Sequence, residues 1–406
     1  MKKSWLIIAL SNFFIAAMMG FMLRLSFVTP IDLNYVFLTH GHSHTAMLGW
    51  VYLMLYLLII QNFLSTEKRE QPIYSRLFWI TQISVVGMMI SFPLQGYALF
   101  SIIFSTLHIF CSYFFCYKIW KEHQTHSYYD GILLKAALIF MLVSTLGIWC
   151  LGLAGATGTK NTALYQSAIQ FFLHFQFNGW FLFAVIALFI NQFHEFTLGI
   201  DQRKFNYFIT LLILATVLTL GLPLNWYYPH PLLYWLNTIG VLLQLITLII
   251  AGWHIKKRSL LHIRQLPTVA KWLLVLGSFS LTLKIVMQCL TIWPEMAAAS
   301  HHIRNFTIGF IHLIMLGVIN SCLFLFMYKT PYLNFLKSKA DISGIVIFIT
   351  GFILTELLLF LQGMLYFLGN GMIPNYHLIL LVASLLLPLG LLFIIVGNVQ
   401  TKKIKI

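Results

Sequence analysis

Charge is what this chain has least of. Only 9% of its 406 residues are Asp, Glu, Lys or Arg, and the 10 acidic residues are outnumbered by 25 basic ones. Soluble domains carry roughly a quarter charged residues, so an ordinary water-facing surface is excluded. Cysteine is scarce too. Cys111, Cys116, Cys150, Cys289 and Cys322 lie in or near apolar stretches and form no CxxC pair. That excludes a zinc signature or a disulfide framework and leaves the thiols as small packing residues. No low-complexity linker is present, and no polar stretch is long enough to fold alone, so one domain spanning 1–406 is expected. Inverted repeats are not visible, which disfavours a transporter built from two mirrored halves. Proline interruptions are modest: Pro93, Pro223, Pro229, Pro331, Pro374 and Pro388 sit mostly near the ends of apolar runs.

What is present is hydrocarbon-compatible sequence. Sixty per cent of the residues are hydrophobic. The apolar runs are apolar on all faces, where barrel strands would alternate, so the expected fold is an all-α integral membrane protein. Twelve spans can be placed at roughly 4–23, 33–61, 77–96, 98–117, 133–155, 164–192, 205–224, 231–253, 270–293, 300–328, 342–368 and 376–398. The first run is long and has no obvious small-residue cleavage site, so it reads as a retained span rather than a signal peptide. The net charge of +15 is explained by topology and calls for no nucleic-acid partner. Lys2 and Lys3, Lys68 with Arg69 and Arg76, Lys118 and Lys121, Arg203 and Lys204, Lys256 to Arg258 with Arg264 and Lys271, Lys329 with Lys337 and Lys339, and Lys402 to Lys405 fall on one side. The other side has little beyond Arg24, Lys160 and Arg304. The positive-inside rule then places both termini in the cytoplasm of a bacterial-type inner (plasma) membrane, with the lipid bilayer as the obligatory partner.

Histidines mark the even-numbered spans. His40, His42 and His44 lie in the second, His108 in the fourth, His174 in the sixth and His312 in the tenth. Counted along the helices, His40, His108, His174 and His312 lie roughly 10–18 Å below the outer surface. Imidazoles at one level inside hydrocarbon need partners, and haem iron is a ligand that takes them axially. At about 100° per residue, His40 and His44 share a helix face while His42 points roughly the opposite way. His40 or His44, with His312 from a second helix, would supply bis-histidine ligation. His174 and Asn178 stack four residues apart, which suits either a second metal ligand or a buried polar pair. His301 and His302 sit at the membrane edge beside Arg304, where a solvated pair is as good an account as a metal site. His108 has no supporting motif and reads as packing. Lys284 in the ninth span and Glu356 in the eleventh are intramembrane charges, which usually pair or line an ion path.

These residues resemble the catalytic subunit of haem-copper oxidases and nitric oxide reductases, twelve-helix proteins with cytoplasmic termini. Thr39-His40-Gly41 is similar to the family's Thr-x-His-Gly haem-ligand motif with one residue missing. His174-x-x-x-Asn178-Gly179 resembles the reductases' His-x-x-x-Glu-Gly, and His302 and His312 have the ten-residue spacing of the family's outer and low-spin haem histidines. The departures are specific. Phe310 stands where the family has its high-spin haem ligand, Ile303 replaces an aspartate, and the seventh span has no histidine. The resemblance implies a bis-histidine haem b without a complete binuclear centre. A second pattern, His42-Ser43-His44 with Gly49-Trp50, resembles the NnrS family of haem membrane proteins linked to nitric oxide stress, and would favour His42 and His44.

Three functional expectations follow. The first is a b-type cytochrome in electron transfer, nitric oxide or respiratory-chain chemistry, served by a cytochrome or quinol donor and a small partner subunit. The second is an oxidoreductase of the haem-copper oxidase type, with copper or non-haem iron held by His174 with His42, His301 or His302. The third is a cofactor-free proton-coupled transporter using Lys284 and Glu356.

Overall fold

The computed structural model describes residues 3–158, 162–197, 199–258, 260–330, 335 and 338–400. Lys2, Lys160, Lys337, Lys402, Lys403, Lys405 and Pro331, used above to argue topology and span ends, lie outside them. Every regular element among the described residues is helical. Twelve helices are long and apolar enough to cross a membrane. They are α1 (Lys3–Leu25), α2 (Tyr35–Phe63), α3 (Pro72–Gln95), α4 (Leu99–Glu122), α5 (Tyr128–Gly155), α6 (Ala163–Gln192), α7 (Gln202–Asn225), α8 (Pro231–His254), α9 (Thr268–Leu290), α10 (Arg304–Lys329), α11 (Lys339–Phe367) and α12 (Tyr376–Val399). The protein is an all-α multi-pass membrane protein. Helices satisfy their own backbone groups, which a hydrocarbon surround demands. Leu94, Leu153 and Trp253, among many large apolar side chains, are exposed on the outside of the helices, as lipid-facing residues are.

Two of the few acidic residues start helices. Ser127 and Asp130 form a reciprocal cap on α5, and Ser338 and Asp341 form one on α11. Both aspartates are fully buried. Asn191, at the end of α6, donates to Asp130 at 2.7 Å, and Asn398, at the end of α12, donates to Asp341 at 3.1 Å. Each carboxylate thus meets the positive end of a helix dipole as well as a hydrogen-bond donor.

Packing divides the chain into two compact units, Met1–His123 with Leu323–Ile406, and Gln124–Cys322. In the first, α11 and α12 pack closely; a β-carbon at Gly344 would stand 2.7 Å from the Gly390 carbonyl oxygen. Helix α12 packs on α1, α1 on α2, α2 on α3 and α3 on α4. In the second unit, α5 packs on α6, α7 on α8, and α8 on α9.

Burial singles out three helices. Their apolar windows are buried to 89% in α2, 83% in α6 and 72% in α10, against 56% in α3, the next highest. These same three helices each contain a π-helical stretch: Thr45–Tyr52, Phe175–Phe181 and Leu313–Ile319.

Candidate functional site

Each π-helical stretch begins directly after a histidine. The three sequences are His44-Thr45-Ala46-Met47-Leu48-Gly49-Trp50, His174-Phe175-Gln176-Phe177-Asn178-Gly179-Trp180 and His312-Leu313-Ile314-Met315-Leu316-Gly317-Val318. The pattern His-x-x-x-x-Gly therefore recurs at every fourth span. π-turns widen a helix and free backbone groups, and they concentrate at functional sites. Gly49 and Gly179 lie where a neighbour comes close. A β-carbon would stand 2.8 Å from Val85 Cγ1 at Gly49 and 2.7 Å from Phe140 Cβ at Gly179. The repeat is carried by the sequence as a motif repeated in one direction, unlike the mirrored halves of an inverted repeat.

In the first unit, Asn34 caps the start of α2 by accepting from the Val36 and Phe37 amides at 3.0 and 3.1 Å. The three histidines then separate by face as the helical period predicts. His42 turns to α1, where its Nδ1 lies 2.8 Å from the Ala16 carbonyl oxygen. His40 and His44 turn towards the end of α3. The His44 ring stacks on Phe92 with centroids 4.2 Å apart, and the His40 ring meets Tyr97 edge-on at 4.7 Å. His44 Nδ1 lies 2.9 Å from the His40 carbonyl oxygen. A carbonyl can only accept, so Nδ1 carries the proton and Nε2 keeps its lone pair, with the Tyr97 hydroxyl 3.4 Å away. Metal-bound histidines typically have this arrangement, one nitrogen fixed by a carbonyl and the other offered to the metal.

His108, in α4, also lies near the first π-stretch. It is buried, its Nδ1 lies 3.3 Å from the Ser112 hydroxyl, and Tyr52 from the π-stretch meets its ring edge-on at 4.6 Å. Its Nε2 has no hydrogen-bond partner, and neither does the buried Thr45 hydroxyl.

In the second unit, His174 donates from Nε2 to the Thr216 carbonyl oxygen of α7 at 2.7 Å. Asn178, one turn on, leaves its buried Oδ1 without a partner, whereas Gln176 donates to Ser144 at 2.9 Å. His301 lies outside the spans, stacked on Trp226 at 4.9 Å and 16°, with the His302 ring 5.1 Å away. Burial, and then the charge of His302, hold His301 below the usual histidine value. His312 ends the regular part of α10 that precedes its π-stretch and is half-buried. Among the described residues no three His, Cys, Asp or Glu side chains converge as a metal-holding group, so His174, His301 and His302 are not gathered into one.

The two intramembrane charges fall in different units, each with surroundings of its own. Glu356 lies within the field of Arg24, and Lys284 donates to Gln244 of α8 at 3.4 Å. No protein-family model matches the sequence, and no curated protein matches it.

Proposed function

We propose that the protein is a haem-binding membrane cytochrome of the b type, in which His44 would hold the haem iron. The observation that carries this reading is the His44 imidazole. Its Nδ1–H is fixed by the His40 carbonyl and its Nε2 is held at a defined angle by Phe92. The repeat adds support, because in α6 and α10 too a π-stretch opens directly after a histidine. The donor chemistry fits haem iron, which takes neutral imidazole axially. A bound haem would supply one-electron exchange. The chain's own part is to orient the imidazole, exclude water with Phe92, and set basicity through the carbonyl bond. Tyr97 follows Gly96, whose φ is +61°, on an exposed turn, and would swing from Nε2 on ligation. His40, on the same face and with no hydrogen bond from its ring, is the neighbouring candidate; His42 is committed to α1.

The same reading carries the membrane and partner assignments. The chain resides in a bacterial-type inner membrane with both termini cytoplasmic, and exchanges electrons with a cytochrome or quinol, alongside a small partner subunit. Protein purified from haem-replete cells should show a Soret band and a low-spin reduced spectrum. His44→Ala should abolish the low-spin form, while His42→Ala should keep it. A Soret-free preparation, or one unaltered by His44→Ala, refutes the assignment.

A further inference from the structure

The strongest unexplained group in the second unit is Lys284. It is only 2% exposed, on a helix surrounded by apolar residues, and lies roughly 9 Å in from the end of α9 at 1.5 Å per residue. An ammonium has three donors. This one has a single hydrogen bond, to Gln244 Oε1 at 3.4 Å, near the outer limit for such a bond. Among the described residues no carboxylate forms an ion pair with Lys284.

Gln244 does not end the chain of contacts. Its Nε2 donates to Thr219 Oγ1 at 3.4 Å, and the Thr219 hydroxyl is shared between the Ala215 carbonyl oxygen at 2.8 Å and the Thr216 carbonyl oxygen at 3.2 Å. That oxygen is the one His174 donates to. Four helices, α6, α7, α8 and α9, are thus joined through Lys284, Gln244, Thr219, Thr216 and His174, every one of them buried. One turn beyond Lys284, on the same face of α9, the buried Gln288 Oε1 has no partner. Loose bonds, spare donors on the lysine and a spare acceptor beside it are what a path bridged by water leaves behind.

We infer that Lys284 is a proton-binding site inside the membrane, loaded by water held along the polar line of Gln244 and Thr219 that leads towards His174. A buried lysine with no counter-ion is by default a functional group in a membrane protein, and proton relays are built from such residues. The proton moves from a bridging water to the Nζ lone pair, forming one N–H bond and breaking one O–H bond, with no change of oxidation state. Of the elements packed against α9, the π-stretch Leu313–Ile319 contains no titratable residue. Helix α8 contributes Tyr234, whose hydroxyl donates to the Ile292 carbonyl, and His254, which bonds its own Ile250 carbonyl. On α9 itself the titratable neighbours are Lys271 and Cys289. His174 is the imidazole whose charge interacts with Lys284. The site requires no haem, and its test is independent of the cytochrome reading.

The test is nitrogen-15 NMR of the full chain, labelled at lysine Nζ and held in lipid nanodiscs without added haem. The signal absent from Lys284→Met identifies the residue; if that variant does not fold, Lys284→Arg makes the same assignment and keeps the charge. The expected result is one lysine signal that converts reversibly between amine and ammonium as bath pH changes, at least tenfold more slowly in Gln244→Leu and Thr219→Val. A Lys284 signal fixed in one form at every pH at which the protein stays folded overturns the site. Wild-type exchange in both relay variants overturns the route.

Discussion

Replacing Asn12 with Ala should loosen the bundle at the first π-stretch. Asn12 sits on α1, 3% exposed, and its Nδ2 donates to the Gly49 carbonyl at 3.0 Å and to Gln82 Oε1 at 2.8 Å. Gln82 returns a bond from Nε2 to Asn12 Oδ1 at 3.1 Å. One side chain therefore ties α1, α2 and α3 together and satisfies a carbonyl within the π-stretch. Interhelical bonds in membranes are worth about 0.6 kcal/mol on average and up to about 1.7, so three come to about 2 kcal/mol. The Gln82 amide left buried adds a penalty of about 1–3 kcal/mol. Asn12→Ala should thus cost about 3–5 kcal/mol, read from denaturation by SDS in mixed micelles and followed by tryptophan emission. The double variant of Asn12→Ala and Gln82→Ala should cost less than the sum of the two single changes, with a coupling of about 1–2 kcal/mol, because both remove the same pair of bonds. Ser11→Ala is the control: its hydroxyl bonds its own helix at Ile7, and the change should stay within about 0.5 kcal/mol. The reasoning fails if Asn12→Ala matches Ser11→Ala, or if the two amide variants add without coupling.

Two further outcomes are expected. Protonated imidazole quenches indole emission, so the Trp226 contribution, isolated by difference from Trp226→Phe, should fall on acidification with a midpoint below about 6.5, the ordinary histidine value. An unfolded chain would take that proton first, so His301 favours the folded state at higher pH, and its contribution is lost as pH falls through the folded midpoint. A midpoint at or above the ordinary value contradicts the burial of the ring. For topology, cysteines at Ser65 and Gln124 should react with an impermeant thiol reagent only after cells are opened, and one at Tyr97 should react in intact cells; the reverse pattern inverts the orientation.

Much of the architecture was legible because hydrocarbon constrains sequence strongly. All twelve spans could be placed, and their edges fall within a turn and a half of the observed helix ends. The division of His40 and His44 from His42 was equally legible, since one angle per residue decides it. The π-stretches were not, because residue type does not announce an extra residue in a turn. Nor was the Lys284 relay. Gln244, Thr216 and Thr219 are unremarkable polar residues in largely apolar helices, and only the fold shows them to be neighbours. His108 illustrates the same limit: without a motif it reads as packing, and its unpartnered nitrogen appears only when α4 is placed against Tyr52.

The widened turn in α2 also makes that helix sensitive to a kind of change that substitution does not sample. Adding one residue rotates all that follows by about 100° relative to all that precedes. The imidazoles before it address Phe92 and Tyr97, while Tyr52 within it addresses His108. Losing a single codon between Thr45 and Tyr52 would leave composition and hydrophobic length almost untouched, yet would turn one half of the helix away from its neighbours. Insertions and deletions there should be far rarer among descendants of this gene than point changes.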